Sequence, residues 1–292
     1  MTEELEQLEH VITVSVWRGA SIKPPGDVVT VHVLNRGANQ VMSLADAARK
    51  GGQVSVSTSE LSSIVDPEHE RKIANDVDEA LWEEAETGLR HQSQITANYL
   101  ALMALGGAVA ATGLVVESTP QAISVIAAAI IAPGFDPLAK IPMGMALRRW
   151  DVARAGLVSA AIGYLALILS AALVFLVLRW SGVTTVEEFV GNSQVQELAE
   201  PTLREILLSA CGAVAGMIMM LSYRRFLIPG ALVALMIIEA AAMVGMALAA
   251  DTPALMYEGL ERFGLDVLLI VLGGVLVVLL KQTIFHRRAP MV

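Results

Sequence analysis

The sequence predicts a polytopic α-helical membrane protein of about six spans, headed by a small N-terminal cytoplasmic α/β domain. The first sign is bulk composition: 55% of the 292 residues are hydrophobic, 17% are charged and the mean hydropathy is +0.60. A soluble chain of this length does not need so much apolar surface, so the excess points to lipid. The second sign is uneven placement. Up to about Gln94 the chain is charge-dense, acidic residues outnumbering basic ones about two to one, and from Ile95 it falls into long apolar blocks. The third is the alternation of charge between those blocks, taken up below.

The charge-dense part divides into a soluble α/β domain at 1–65 and an amphipathic connecting helix at 66–93. Val11 to Trp17 is rich in β-branched residues and reads as a strand; Lys23-Pro24-Pro25-Gly26-Asp27 breaks it, and Val28 to Leu34 reads as a second. Val41, Leu44, Ala45 and Ala48 recur at helical spacing and stop at Lys50-Gly51-Gly52. Gln53 to Ser57 is expected to be a third strand. Asp66-Pro67 then reads as a helix start, Asp66 as N-cap and Pro67 in the first turn. Ile73, Val77, Leu81, Ala85 and Leu89 place an apolar stripe along that helix. The stripe is either a lever to the first span or a surface packed on the small sheet.

Several classes of chemistry find no support. Arg49-Lys50-Gly51-Gly52 lacks phosphate-loop spacing, and His10, His32, His69 and His91 lack metal-ligand spacing. A net charge of −9, without a basic cluster interleaved with aromatics, argues against nucleic acid. The lone Cys211 lies in an apolar block and reads as a packing residue. Met1 to Glu9 is acidic without an apolar core, so the domain is expected to stay on the cytoplasmic side. No catalytic constellation, cofactor motif or metal site is expected.

A helix needs about 20 residues to cross a bilayer, and the apolar blocks place a six-helix transmembrane domain at 94–288, with spans at about 94–116, 120–147, 153–178, 205–221, 226–249 and 265–284. Arg148, Arg149 and Arg154 follow span two, Arg224 and Arg225 follow span four, and Lys281, Arg287 and Arg288 close span six. The alternate joints are acidic: Glu117; Glu187, Glu188, Glu197 and Glu200; Asp251, Glu258 and Glu261; only Arg179, Arg204 and Arg262 fall there. With six spans every basic joint shares one face, which the positive-inside rule makes cytoplasmic. The expectation is a multi-pass plasma or inner membrane protein with both termini in the cytoplasm.

Span two carries the candidate site. Ser118-Thr119-Pro120 caps it, and Ala132-Pro133-Gly134-Phe135-Asp136-Pro137 interrupts it, because proline removes a donor and disfavours helix just before it. Such a break at membrane depth is tolerated where it is sheltered by protein or lines a water-filled cavity, as in transporter sites. Asp136 and Lys140 follow at i, i+4 spacing, as parts of a ligand site or as a structural ion pair. Glu239 stands mid-way through span five with no basic residue within two turns, a proton carrier or a hydrogen-bonded packing residue. The candidate substrate or ion site is thus Pro133, Gly134, Asp136, Pro137, Lys140 and Glu239.

Gly107-Ala108-Val109-Ala110 echoes Gly212-Ala213-Val214-Ala215, and Gly144-Met145-Ala146-Leu147 matches Gly245-Met246-Ala247-Leu248, nearly in register. Three spans per copy would make a 3+3 inverted repeat. Gly106, Gly107, Gly113, Gly212 and Gly216 would let helices approach closely.

Asn98-Tyr99-Leu100, Ser118 to Ala122, Ile130 to Pro137 and Met143 to Trp150 together resemble the bacterial and archaeal membrane proteins grouped as domain of unknown function 389, the uncharacterised hydrophobic domain family. The resemblance runs from about Asn98 to Phe285. Asp136 stands where that family usually has glycine, and Ile238-Glu239-Ala240 replaces its fifth-span prolines. The resemblance implies a multi-spanning membrane domain with a cytoplasmic α/β domain, and no substrate. The residues themselves lead to a transporter or channel for a small ion or solute. The alternative is a membrane-anchored sensor or regulator acting through its cytoplasmic domain. A homo-oligomer embedded in the lipid bilayer is expected in either case.

Overall fold

The structure, a computed structural model, describes residues 1–61, 63–115, 119–222 and 229–285. Glu117, Ser118, Arg224, Arg225, Arg287 and Arg288, used above for capping and orientation, lie outside the described residues. The chain divides into two compact units, one built on 1–85 with 221–222 and 282–285, and the other on 86–220 and 229–281.

In the first unit a short helix, α1 (Thr2–Glu6), precedes an antiparallel hairpin of β1 (Val11–Ile22) and β2 (Pro25–Val33). Val14 faces Val31 and Val16 faces Val29, the β-branched pairing that favours a pleated surface. Gly19 takes φ +65° where the register slips between Trp17 and Ser21, and its amide donates to Asp27 Oδ1 at 2.8 Å. Helix α2 (Asn35–Arg49) follows at once and buries Ala38 and Met42 against Leu81, with Val33 alongside.

The third strand expected at Gln53 to Ser57 does not form: the described sheet has two strands. Serines at 55, 57 and 59 offer the backbone competing hydrogen bonds, and Val56 between the first two stays exposed. The expected α/β domain is therefore a two-stranded hairpin with helices.

The long helix expected from Asp66 is also broken. Only α3 (Glu70–Ala74) and α4 (Trp82–Gln92) are helical. Asp66 makes a local turn instead of a helix cap, accepting from the Glu68 amide at 2.9 Å and pairing with His69 Nδ1 at 3.0 Å. The His69 hydrogen bond, joined by the Glu68 amide, holds the Asp66 carboxyl below its usual range. Downstream, Asp76 leaves the helical path to serve another helix. Leu34, at the N-cap of α2, has no side-chain acceptor, and the Asp76 carboxylate accepts from the Asn35 amide at 2.7 Å and the Arg36 amide at 3.2 Å. Asn35 Nδ2 donates to Val77 O at 2.7 Å and Arg36 Nη2 to Asn75 O at 2.9 Å, which fastens the same segment. A cap supplied from some forty residues away thus outweighs helix continuity.

The second unit is helical: α5 (Ala97–Gly113), α6 (Thr119–Ile131), α7 (Phe135–Ala146), α8 (Trp150–Trp180), short α9 (Val186–Gly191) and α10 (Ser193–Ala199), then α11 (Leu203–Met220), α12 (Pro229–Ala250) and α13 (Pro253–Ile284). Thr96 caps α5 by accepting from the Tyr99 amide, and Thr185 with Glu188 closes a capping box on α9. Among the described residues α8, α11 and α13 are long and apolar enough to cross a membrane. Two bent pairs, α4 with α5 at 71° and α6 with α7 at 54°, raise the candidates to five, and Met236–Ala250 of α12 is a shorter apolar helix. Leu165, Leu169, Leu173, Leu268, Leu272 and Leu276 are more than half exposed on α8 and α13, surfaces that water would not tolerate in such number. This is a membrane protein. The joint expected at 251–262 shrinks to Asp251 and Thr252, because Pro253 restarts helix as the first residue of α13.

Glycine lets three helices close on α8. A Cβ on Gly107 of α5 would stand 2.3 Å from Leu167 O, one on Gly245 of α12 would stand 2.2 Å from Ile168 O, and one on Gly156 would stand 2.7 Å from Pro137 O of α7. Gly106 presses likewise on Ala132.

Gly245→Ala is expected to lower stability in detergent by about 1–3 kcal/mol through overpacking, whereas Gly264→Ala, where a Cβ meets nothing within 4 Å, leaves the unfolding midpoint unchanged or raised. Asp76→Ala should cost about 1 kcal/mol as a lost cap, read as earlier proteolysis of the first unit on the full chain.

Candidate functional site

The break lies between Ile131 and Phe135. Pro133 has no amide to continue α6, and Ala132 before it is pushed out of helical backbone. Gly134 N donates to Ala132 O at 2.8 Å, and the Gly134 carbonyl accepts from the Tyr164 hydroxyl of α8 at 3.2 Å. A Cβ on Gly134 would meet Tyr164 Oη at 2.7 Å and Ile238 Cδ1 at 2.9 Å, so the unwound residue is wedged between α8 and α12. Pro137 does not extend the interruption as expected: it sits buried in the first turn of α7, where a missing amide costs nothing. Inside α7, Pro142 packs on Gly274 of α13.

Asp136 is half-buried in the first turn of α7, the end whose dipole favours a carboxylate. Tyr99 and Tyr164 stand within electrostatic range of it. Tyr99 donates to Ser159 O at 2.8 Å and fills the space beside Gly163. Lys140 is 5% exposed, and its charged neighbours are Arg90 and Glu86 of α4 and Asp136. The i, i+4 ion pair considered for Asp136 and Lys140 does not form: no oxygen of Asp136 comes within 4 Å of the ammonium. Nearby, Arg149 holds Glu86 at 3.0 Å and Asp151 at 3.1 Å. The Asp151 hydrogen bond, then Glu86, raise the guanidinium pKa further and keep it charged.

Glu239 is 3% exposed on α12, next to the Ile238 that touches the break. Its Oε2 accepts from Gln194 Nε2 of α10 at 3.0 Å. The partner comes from another helix, one of the possibilities left open by the sequence.

Sequence reasoning missed a second group beside it. Arg262 and Asp266, one turn apart on α13, form an ion pair at 3.1 Å with side chains only 1% and 4% exposed. Arg262 Nη2 also donates to Ser209 Oγ of α11 at 2.8 Å and to Met236 Sδ of α12 at 2.9 Å. Arg262, Glu197 and Asp266 are the charges in reach of Glu239, and Tyr164 stands in reach of both Asp266 and Asp136. The signal was present as Arg262-x-x-x-Asp266, but the acidic run before it read as a joint. Glu197, exposed on α10, lies in electrostatic reach of Glu239, Asp266 lies in reach of Tyr164, and the Tyr164 hydroxyl donates at the break.

Residues 129–272 match the model of a family described as a domain of unknown function (DUF389). The segment is a DUF389 domain. The match begins near the end of α6 and ends within α13, so the DUF389 domain holds the break, Glu239, Arg262 and Asp266, while Tyr99 on α5 lies before it. No curated protein and no solved structure matches the chain.

Arg262→Met is expected to strand the buried Asp266 carboxylate and cost about 3–5 kcal/mol, and adding Asp266→Leu should restore most of it. Thermal unfolding of the purified variants in detergent checks both.

Proposed function

We propose that the protein moves a small ion or solute across a plasma or inner membrane, by way of the break between α6 and α7. The observation that carries this reading is a helix interrupted among apolar neighbours, with the freed Gly134 carbonyl held by Tyr164 and ionisable groups on either side. Irregular backbone at membrane depth supports a binding function when it is sheltered in this way, since its free polar groups otherwise need water. Half-buried Asp136 and buried Lys140 and Glu239 are costly in an apolar bundle, and a ligand that uses them accounts for their presence. Six spans, counting α5, the α6–α7 pair, α8, α11, α12 and α13, with both termini cytoplasmic, fit the charge alternation along the chain. In this arrangement the halves are a 3+3 inverted repeat, and the protein assembles as a homo-oligomer.

A second reading rests on the first unit. A groove of about 540 Å³ there is lined by Glu4, Arg36, Asn39, Gln40, Ser43 and Phe285 among others, a place for a regulatory ligand of a membrane-anchored sensor. Neither reading involves catalysis.

Flux into proteoliposomes, measured over a panel of monovalent ions, divalent ions and small solutes, separates them. Wild type should accelerate at least one, and Gly134→Leu, which fills the wedge between Tyr164 and Ile238, should abolish that flux with the protein still monodisperse. No acceleration for any of the panel, with a small molecule that stabilises the full chain unless Arg36 is replaced, would favour the sensor.

A further inference from the structure

The cluster around Arg262 is one positive charge short. Glu239, Arg262 and Asp266 are each more than nine-tenths buried, so two carboxylates share one guanidinium. The groups that face Glu239 are Gln194 and Glu197 of α10 and Arg262 and Asp266 of α13. Asp266 is faced by Arg262, by Ser209 of α11 and by Tyr164 of α8. Lys140 belongs to neither set; its charged neighbours are on α4 and α7. On the guanidinium, Nε binds Asp266, and Nη2 binds Ser209 and Met236. Asp266 Oδ1 is nonetheless buried without a hydrogen bond from any described residue. Two buried carboxylates beside one buried guanidinium leave a negative charge uncompensated, which burial strongly disfavours, so the cluster needs one more positive species.

We propose that Glu239, Arg262 and Asp266 form a proton-binding site, loaded from the Gln194 side, that supplies the coupling ion for the transport suggested above. With one proton held by the carboxylates the cluster is neutral; when it leaves, to water beside Gln194 or to exposed Glu197, the cluster carries one negative charge. A proton fits better than a metal ion. It needs a single carboxyl oxygen, the place of a cation beside Asp266 is already taken by Arg262, and no group of three or more His, Cys, Asp or Glu suited to a metal occurs among the described residues. Gln194 donates to Oε2 of Glu239 and leaves Oε1 to carry the proton. The coupling role rests on the transport reading, but proton binding is measurable without flux.

Infrared difference spectra of the full chain in lipid nanodiscs, between acid and alkaline buffer, report protonated buried carboxyls directly. Wild type should show a titrating carboxylic acid band that Glu239→Gln removes, Glu239→Asp retains at a shifted frequency, and Asp266→Asn moves in midpoint. Glu239→Asp keeps the test decisive should the glutamine variant fail to stay monodisperse. An unchanged band in both Glu239→Gln and Asp266→Asn would overturn the proposal. So would a sodium-dependent rise in the unfolding temperature, lost in Glu239→Gln, in place of the band. A titrating band without flux would remove the transport reading alone, and flux without the band would remove this site alone.

Discussion

A backbone that leaves the helical path inside an apolar bundle must find new partners for the groups it frees, and the Gly134 carbonyl does so at the Tyr164 hydroxyl. Much of the second unit is arranged to make that contact possible. Tyr164 stands on α8, the helix against which α5, α7 and α12 close through Gly107, Gly156 and Gly245. Only residues without a side chain bring those backbones near enough for one hydroxyl to reach across. Tyr99 repeats the arrangement one helix away, where it binds Ser159 O beside Gly163.

Charge is the second constraint. Among the described residues, most ionisable side chains inside the bundle gather into two groups, Asp136 with Lys140 near the break and Glu239 with Arg262 and Asp266 beyond it, while Lys281 is buried near the end of α13. Tyr164 lies between them, in reach of an acidic residue on each side. In the first group the ammonium has Arg90, Glu86 and Asp136 about it and no direct ion pair, so its charge is balanced diffusely. In the second a tight ion pair leaves a carboxylate over.

The first unit shows the reverse economy, in which one acidic side chain organises a fold with a small core. Asp76 ends one helical run in order to begin another, satisfying two free amides of α2 at once. With Ala38, Met42 and Leu81 as its principal apolar contact, the unit depends on such polar fastening.

Periodicity and composition alone determined that the chain is apolar and helical after Ile95, that two strands lie near its start, and that Pro133 and Gly134 interrupt an apolar helical run, because each follows from what a local stretch of backbone can do. The family resemblance was legible for the same reason, being carried by contiguous motifs. Tertiary structure decided the rest. That Asp76 caps α2 across some forty residues depends on a group distant in the chain, and that Lys140 has Arg90 and Glu86 of α4 among its charged neighbours, with no ion pair to Asp136, depends on how the helices pack. Arg262 and Glu239 are neighbours only because Pro253 continues the chain as helix and turns α13 back along α12; spacing along one strand of sequence carries no information about a side chain that arrives from another.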